Sequence, residues 1–266
     1  MHFCGVAVAP TLRRVIALWQ FPLLFAAAFA AGFVDSIAGG GGLITVPVLL
    51  SLGMDPRHAL GTNKLQAVFG SGSATWHYAQ AGVVPLGDCK RGFVLTFLGA
   101  AVGTLMVQQL DPALLKRVIP LLLLGVALFV LLKPKLGDAD LHPRMGRGAF
   151  DAAFGLLIGF YDGFFGPGTG TFWAMAYVLG LGFNLTKATG YTKVMNFASN
   201  VGSLLFFLLG GHVYFAAGLV MGAGQWLGAR VGSGMVVRRG ARFIRPVFLA
   251  VVLAITLKLL YDIHGK

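Results

Sequence analysis

The sequence predicts an all-α, polytopic membrane protein of two inverted-topology repeats, each containing a glycine-broken half-helix or re-entrant segment. Three observations predict it. Of the 266 residues, 57% are hydrophobic and only 11% are charged, against roughly 25% charged residues in a soluble domain. The two halves of the chain resemble each other at a nearly constant offset, and matching loops carry swapped basic charge. At roughly 20 apolar residues per span, the length allows about eight to ten spans with short loops and no separate soluble domain. Residues 1–266 therefore read as a single transmembrane domain.

The repeat sets the frame for the individual elements. Gly32-Phe33-Val34-Asp35 recurs 127 residues later as Gly159-Phe160-Tyr161-Asp162, and Gly39 and Gly41 map onto Gly166 and Gly168. A two-residue insertion then moves the offset to 129, pairing Gly53 with Gly182, Ala59 with Ala188, Gly61 with Gly190, Lys64 with Lys193 and Gly82 with Gly211. The same offset places Gly99-xxx-Gly103 on Gly228-xxx-Gly232. Two related halves are a common plan of secondary transporters. The first repeat runs from about 10 to 133 and the second from 148 to 262, joined by a polar, cytoplasmic linker at 134–147.

Taken in order, polar or glycine-rich breaks divide each repeat into five apolar elements. The first, 14–36, contains Val15 to Ala31, long enough to span; it lacks a cationic leader and a small-residue cleavage site, so it is read as a retained helix. The second, 43–53, follows four consecutive glycines. At about eleven residues it rises only ~16 Å as helix, half of a hydrocarbon core. The third, 58–83, carries Asn63 and Lys64. The fourth, 91–109, follows Lys90 and Arg91, and the fifth is 115–132. The second repeat gives 148–165, 171–181, 187–211, 214–236 and 243–261, again with a short second element.

Formal net charge is +12, from 21 Lys and Arg against nine acidic residues, all Asp. In an apolar chain this excess marks cytoplasmic loops and anionic headgroups rather than nucleic acid. Lys90 and Arg91 precede the fourth element, whereas Val213 to Ala217 before its counterpart has no Lys or Arg. The loop after the counterpart holds Arg238, Arg239, Arg242 and Arg245, against Lys116 and Arg117 in the first repeat. Such swapped basicity fits an antiparallel pair of repeats. With the linker in the cytoplasm both termini are extracytoplasmic, against the weaker indication of Arg13 and Arg14. Cys4 and Cys89 form neither a disulfide framework nor a metal cluster.

Three features carry candidate chemistry. Asp35 and Asp162 fall deep in apolar elements at the same repeat position, where a charge costs several kcal/mol unless paired or protonated. They are read either as braces of the adjacent glycine break or as proton carriers or coupling-ion ligands. The tracts Gly39 to Gly42 and Gly166-Pro167-Gly168-Thr169-Gly170 precede the half-helices, so Gly40, Gly41, Gly42, Gly168 and Thr169 offer backbone N–H groups at helix starts, a cradle for an anion. Thr45 and Thr171 add hydroxyls; close helix packing is the alternative role of these glycines. Lys64 with Asn63 and Gln66, and Lys193 with Thr192 and Asn196, put one lysine about a turn inside each third element. Snorkelling to the interface is their alternative. Ser71, Ser73, Ser199, Asn200 and Ser203 continue the polar faces. Gly99-xxx-Gly103 and Gly228-xxx-Gly232 read as packing motifs. No Walker-type lysine follows either tract, and no cofactor or metal is expected.

Gly32 to Pro47, with Ala59-Leu-Gly-Thr-Asn-Lys-Leu65 and Gly82-Val-Val-Pro85, resembles the first half of the TauE/SafE sulfite-exporter family. Asp162 to Gly170 and Thr186 to Lys193 resemble its second half. The resemblance covers nearly the whole chain. It implies an integral, multi-pass protein of the bacterial inner membrane, carrying small sulfur-containing or organic anions such as sulfite, sulfonates or sulfoacetate. The resemblance implies the small anion as partner; the composition gives the bilayer, the basic excess is not read as nucleic-acid binding, and the glycine-rich faces are compatible with a homodimer. Two other functions were weighed on the residues: a passive anion channel, and an intramembrane hydrolase using Ser73 and His77, an i, i+4 pair that lacks a nucleophile-elbow context and has Gly202 and Phe206 at the repeat positions.

Overall fold

A computed structural model describes residues 16–132 and 140–240. These residues form α1 (Phe21–Ala38), α2 (Gly41–Ser51), α3 (Pro56–Gln80), α4 (Lys90–Gln109), α5 (Pro112–Leu132), α6 (Arg147–Phe164), α7 (Thr169–Leu181), α8 (Leu185–Leu209) and α9 (Phe215–Arg239). Short 3-10 turns precede α1 and α4, and no strand occurs among the described residues. The expected tenth element, 243–261, lies outside them, as do Cys4, Arg13, Arg14, Arg242, Arg245 and residues 134–139 of the linker.

Local chemistry starts and stops these helices at matching places. Asp55 caps α3 by accepting the Arg57 N–H at 3.0 Å, with Pro56 at the first helical position. Asn184 does the same for α8 through the Lys187 N–H at 2.9 Å. Both caps satisfy a donor that the first turn leaves free. The short helices start on Gly40 (φ 96°) and Gly168 (φ 87°), a left-handed geometry that glycine adopts without strain. The first element begins at Phe21 rather than near residue 14, after a 3-10 turn at Leu18–Gln20. Pro22, near the helix start, fits that boundary.

Packing follows the glycines. α1 lies along α9, and α4 along α6. A methyl group at Gly99 or Gly103 would meet the backbone of Leu156 or Phe160; at Gly228 or Gly232 it would meet the backbone of Phe29 or Phe33. Small residues here let helix backbones touch, so both motifs serve close packing. α3 and α8 sit against these pairs and against each other. Around Trp173, Tyr177 and Phe150, one buried cluster joins α6, α7 and α8; a second gathers Val46, Val107, Ile119 and Phe207. The outer faces of α4, α6, α8 and α9 expose Leu98, Val102, Leu157, Leu209, Leu219 and Trp226. Among the described residues, three stretches are long and apolar enough to cross a membrane: Leu18–Ala38, Leu86–Gln109 and Leu185–Leu209.

Candidate functional site

The two glycine tracts meet in the interior. A methyl group at Gly39 would lie 2.7 Å from Gly170 and Thr171 backbone atoms, and one at Gly42 3.3 Å from Pro167. The starts of α2 and α7 are thereby brought together, beside the ends of α1 and α6 and the middle of α3, α8 and α9. Asp35, Asp162, Gly40, Gly41, Gly42, Asn63, Lys64, Gly168, Thr169, Asn196 and Asn200 line one cavity, joined by Gly166, Gly170, Ala67 and Gln225. Its volume is about 30 Å³, room for about two waters.

The lysines and aspartates, read separately in the sequence, pair across the two halves. Lys64 Nζ donates to Asp162 Oδ1 at 2.7 Å and to the Asp162 carbonyl at 2.6 Å. Lys193 Nζ donates to the Asp35 carbonyl and reaches Asp35 Oδ2 at 3.2 Å. The lysines sit more than two turns inside α3 and α8, not one, and are 1% and 0% exposed; neither snorkels to an interface. A buried charge is tolerated when paired and hydrogen-bonded, so the four groups sum to zero formal charge. The excess of two positive charges that the lysines alone would give is cancelled.

Other candidates spend their polar atoms locally. The Thr192 hydroxyl donates to Ala188 one turn back and Thr169 to Gly166. Such back-bonding is the usual fate of a helical threonine; the Thr171 hydroxyl instead crosses to the Ala38 carbonyl at the end of α1. Gln66 Nε2 donates to Asn63 Oδ1 at 2.8 Å, which also accepts the Thr45 hydroxyl at 2.6 Å. Gln66, Thr192 and Lys193 lie outside the cavity lining, although Gln66 and Lys193 hold residues within it. Asn200 links Lys64 at 3.4 Å to the Ser71 hydroxyl at 3.3 Å. Two acceptors in the wall lack partners: the carboxamide oxygens of Asn196 and Gln225 are buried with no hydrogen bond among the described residues. At the helix starts the Gly41 N–H is taken by Asp35 Oδ1 and the Thr169 N–H by the Gly166 carbonyl, which leaves the N–H groups of Gly42 and Gly170 at the cavity wall.

Sequence reasoning missed Gln225 and Asp151. Gln225 is the polar residue in a glycine-rich stretch of α9, and Gly32 and Gly70 are small because its side chain and backbone pack on them. Asp151 is a correction to the reading that only Asp35 and Asp162 are deep: it is 3% exposed in α6 and accepts Arg147 Nε at 3.2 Å. The Arg147-xxx-Asp151 spacing was the available signal. The serine–histidine pair does not form, since the Ser73 hydroxyl donates to the Trp226 carbonyl and the His77 ring meets Ser233 Oγ at 2.8 Å.

A bundle with an apolar exterior, whose two short-helix starts and matched charges converge on an internal cavity, has the features of a membrane transport protein. Residues 24–259 match the family described as "Sulfite exporter TauE/SafE". A "Probable membrane transporter protein YfcA" of Escherichia coli (strain K12) is 49% identical over 244 residues, 92% of this chain and 91% of that one. A "Probable membrane transporter protein" of Haemophilus influenzae is 47% identical over 90% of this chain and 94% of its own. "Probable membrane transporter protein YunE" of Bacillus subtilis is 24% identical over 91% and 98%. No solved structure matches. The chain belongs to the TauE/SafE family of membrane transporters. It is an integral membrane protein and not an enzyme.

Proposed function

We propose that this chain is a multi-pass secondary carrier of the bacterial inner membrane that moves a small sulfur-containing or organic anion, of the sulfite, sulfonate or sulfoacetate type. Its two halves, 10–133 and 148–262, are read as inverted repeats that rock about the cavity, with the 134–147 linker in the cytoplasm and Asp35 or Asp162 coupling transport to protons. The observation that carries the anion is the meeting of two glycine-led helix starts, α2 after Gly40 and α7 after Gly168, on one cavity whose charges are already balanced. Donors aimed at a cavity favour an oxyanion, and a helix start adds partial positive charge. Reciprocal pairing supports the two-half reading, since Lys64 of the first half holds Asp162 of the second and Lys193 of the second holds Asp35 of the first. A 30 Å³ cavity is small for such a ligand, which favours alternating access over an open channel.

The test is flux in proteoliposomes with a panel of sulfite, a short sulfonate, sulfoacetate and a carboxylate. Wild type should move at least one, and exchange should saturate. Lys64→Gln and Lys193→Gln, checked for folding by thermal unfolding in detergent, should lose affinity or rate at least tenfold. Wild-type behaviour in both variants would leave the lysines as packing residues only and reject the site.

A further inference from the structure

The two lysine–aspartate pairs hold equivalent repeat positions but are built differently. Asp162 is held at both oxygens: Lys64 donates to Oδ1 at 2.7 Å and the Ser199 hydroxyl to Oδ2. Asn200 lies 3.4 Å from the Lys64 ammonium as well, and the Asp162 side chain is 5% exposed. Asp35 accepts the Gly41 N–H and the Lys193 ammonium, both at 3.2 Å, receives no hydroxyl among the described residues, and is 17% exposed. The repeat explains the difference. The position matching Ser199 is Gly70, and a side chain there would run into Gln225.

The surroundings of Asp35 contain few other titrating groups. α8 supplies Lys193, and α3 supplies Tyr78, whose hydroxyl donates to the Ser36 carbonyl at 2.8 Å. α2 offers the Gly41 N–H, α7 the Thr171 hydroxyl and α9 the uncharged Gln225, while Lys64 and Asp162 share the cavity. Lys193 is the cation in hydrogen-bond contact with Asp35 among the described residues.

Resting on the anion-carrier reading, we propose that Asp35 alone exchanges the coupling proton, while Asp162 and Lys64 stay a fixed pair, so that one proton accompanies each monoanion and transport is electroneutral. An O–H bond forms at Asp35 Oδ2 with a proton from water on the loading side and breaks to water on the release side. Lys193 keeps its own protons throughout. Released from the carboxylate, its charge turns to the anion. The balance is arithmetic: two lysines and two aspartates sum to zero, and a monoanion arriving with one proton on Asp35 leaves the sum at zero. Any other stoichiometry strands a net charge in an apolar setting.

The full chain in proteoliposomes, with sulfite supplied in mild acid as its hydrogensulfite monoanion, a lumenal pH dye and a potassium–valinomycin clamp, tests this. Wild type is expected to move one proton per hydrogensulfite, at a rate changed less than twofold by the clamped potential. Asp35→Asn should lose pH-driven accumulation more than tenfold, yet keep a slower sulfite–sulfite exchange that no longer depends on pH. Asp35→Glu, still protonatable, should restore coupling with a shifted pH midpoint. Proton movement persisting in Asp35→Asn, loss of coupling in Asp35→Glu, or a wild-type flux that follows the potential would each overturn the proposal. So would a folded Asp35→Asn protein without exchange. Absence of wild-type flux for sulfite and the whole anion panel instead rejects the carrier reading on which the proposal stands.

Discussion

The two ends of the bundle share a skeleton and differ in what fills it. At one end α3 begins and α8 turns into α9; at the other α8 begins and α3 turns into α4. Each starting helix has a side-chain cap, Asp55 or Asn184, and a glycine about a turn and a half in, where a methyl group would meet the His212 carbonyl or the side chains of Val83 and Val84. The fillings diverge. The α3 end gathers titratable and amide groups: the His58 and His212 rings meet edge-on at 5.3 Å, His212 Nδ1 lies 2.8 Å from Gln108 Oε1, and Arg57 donates to the Leu110 carbonyl at 2.5 Å. The α8 end is aromatic. The Arg147 guanidinium stands 4.9 Å from the Tyr191 ring, 5.9 Å from Phe183 and 6.0 Å from Tyr177, and also donates to Asp151 and to the Asp88 carbonyl. Matching backbone junctions with unlike fillings should open at unlike cost.

The largest effect should follow from removing the aromatic end's cation. Arg147→Ala leaves Asp151 buried and unpaired, so a loss of about 3 kcal/mol is expected, with further loss from the ring contacts. Arg57→Ala at the other end removes one backbone hydrogen bond and should cost about 1 kcal/mol. Thermal unfolding in detergent measures both; an Arg57→Ala loss as large as that of Arg147→Ala would break the contrast. The caps probe the shared skeleton. Asp55→Ala and Asn184→Ala should each cost about 1 kcal/mol, and a clear inequality would mean the junctions themselves differ.

The smallest effect concerns pH at the histidine end. Burial lowers the His212 pKa from 6.5, aided by His58 and Arg57 and opposed by Asp55. A base whose pKa is depressed in the closed end stabilises that end while it is neutral. That stability is present above 6.5 and is lost as pH falls through 6.5 toward the lowered value. Opening should therefore become easier in mild acid by on the order of threefold, read as a higher labelling rate of a cysteine at Val213 at pH 5.5 than at 7.5 once each rate is divided by that of a free thiol at the same pH. His212→Gln should flatten the response; an unchanged slope would take His212 out of the comparison.

Much of this arrangement was legible in the sequence. Short-range chemistry marked the helices: the glycine tracts gave α2 and α7 within two residues, and the paired glycines at 82 and 211 sit just beyond the ends of α3 and α8. The Gly99 and Gly228 motifs were read correctly as packing. What escaped was long range. That Lys64 meets Asp162, 98 residues on, and Lys193 meets Asp35, 158 residues back, follows only once α3 and α8 lie side by side, which no local pattern states. For the same reason Gln225 went unnoticed, because its partners are glycines on other helices. Thr192 and Gln66 were over-read, since nothing in their spacing tells whether a polar side chain faces a cavity or bonds to its own helix. Asp151 was missed because its arginine stood at the edge of the linker.

Opposite-sided access to the two ends is the claim on which the carrier reading turns. In a background with Cys4→Ser and Cys89→Ser, single cysteines at Lys90 and Val213 can be labelled with a membrane-impermeant maleimide from either face of oriented vesicles. The account predicts labelling of the two positions from opposite faces, and a substrate anion that raises reactivity at one while lowering it at the other. Labelling of both from the same face, or parallel changes at the two positions, would contradict it.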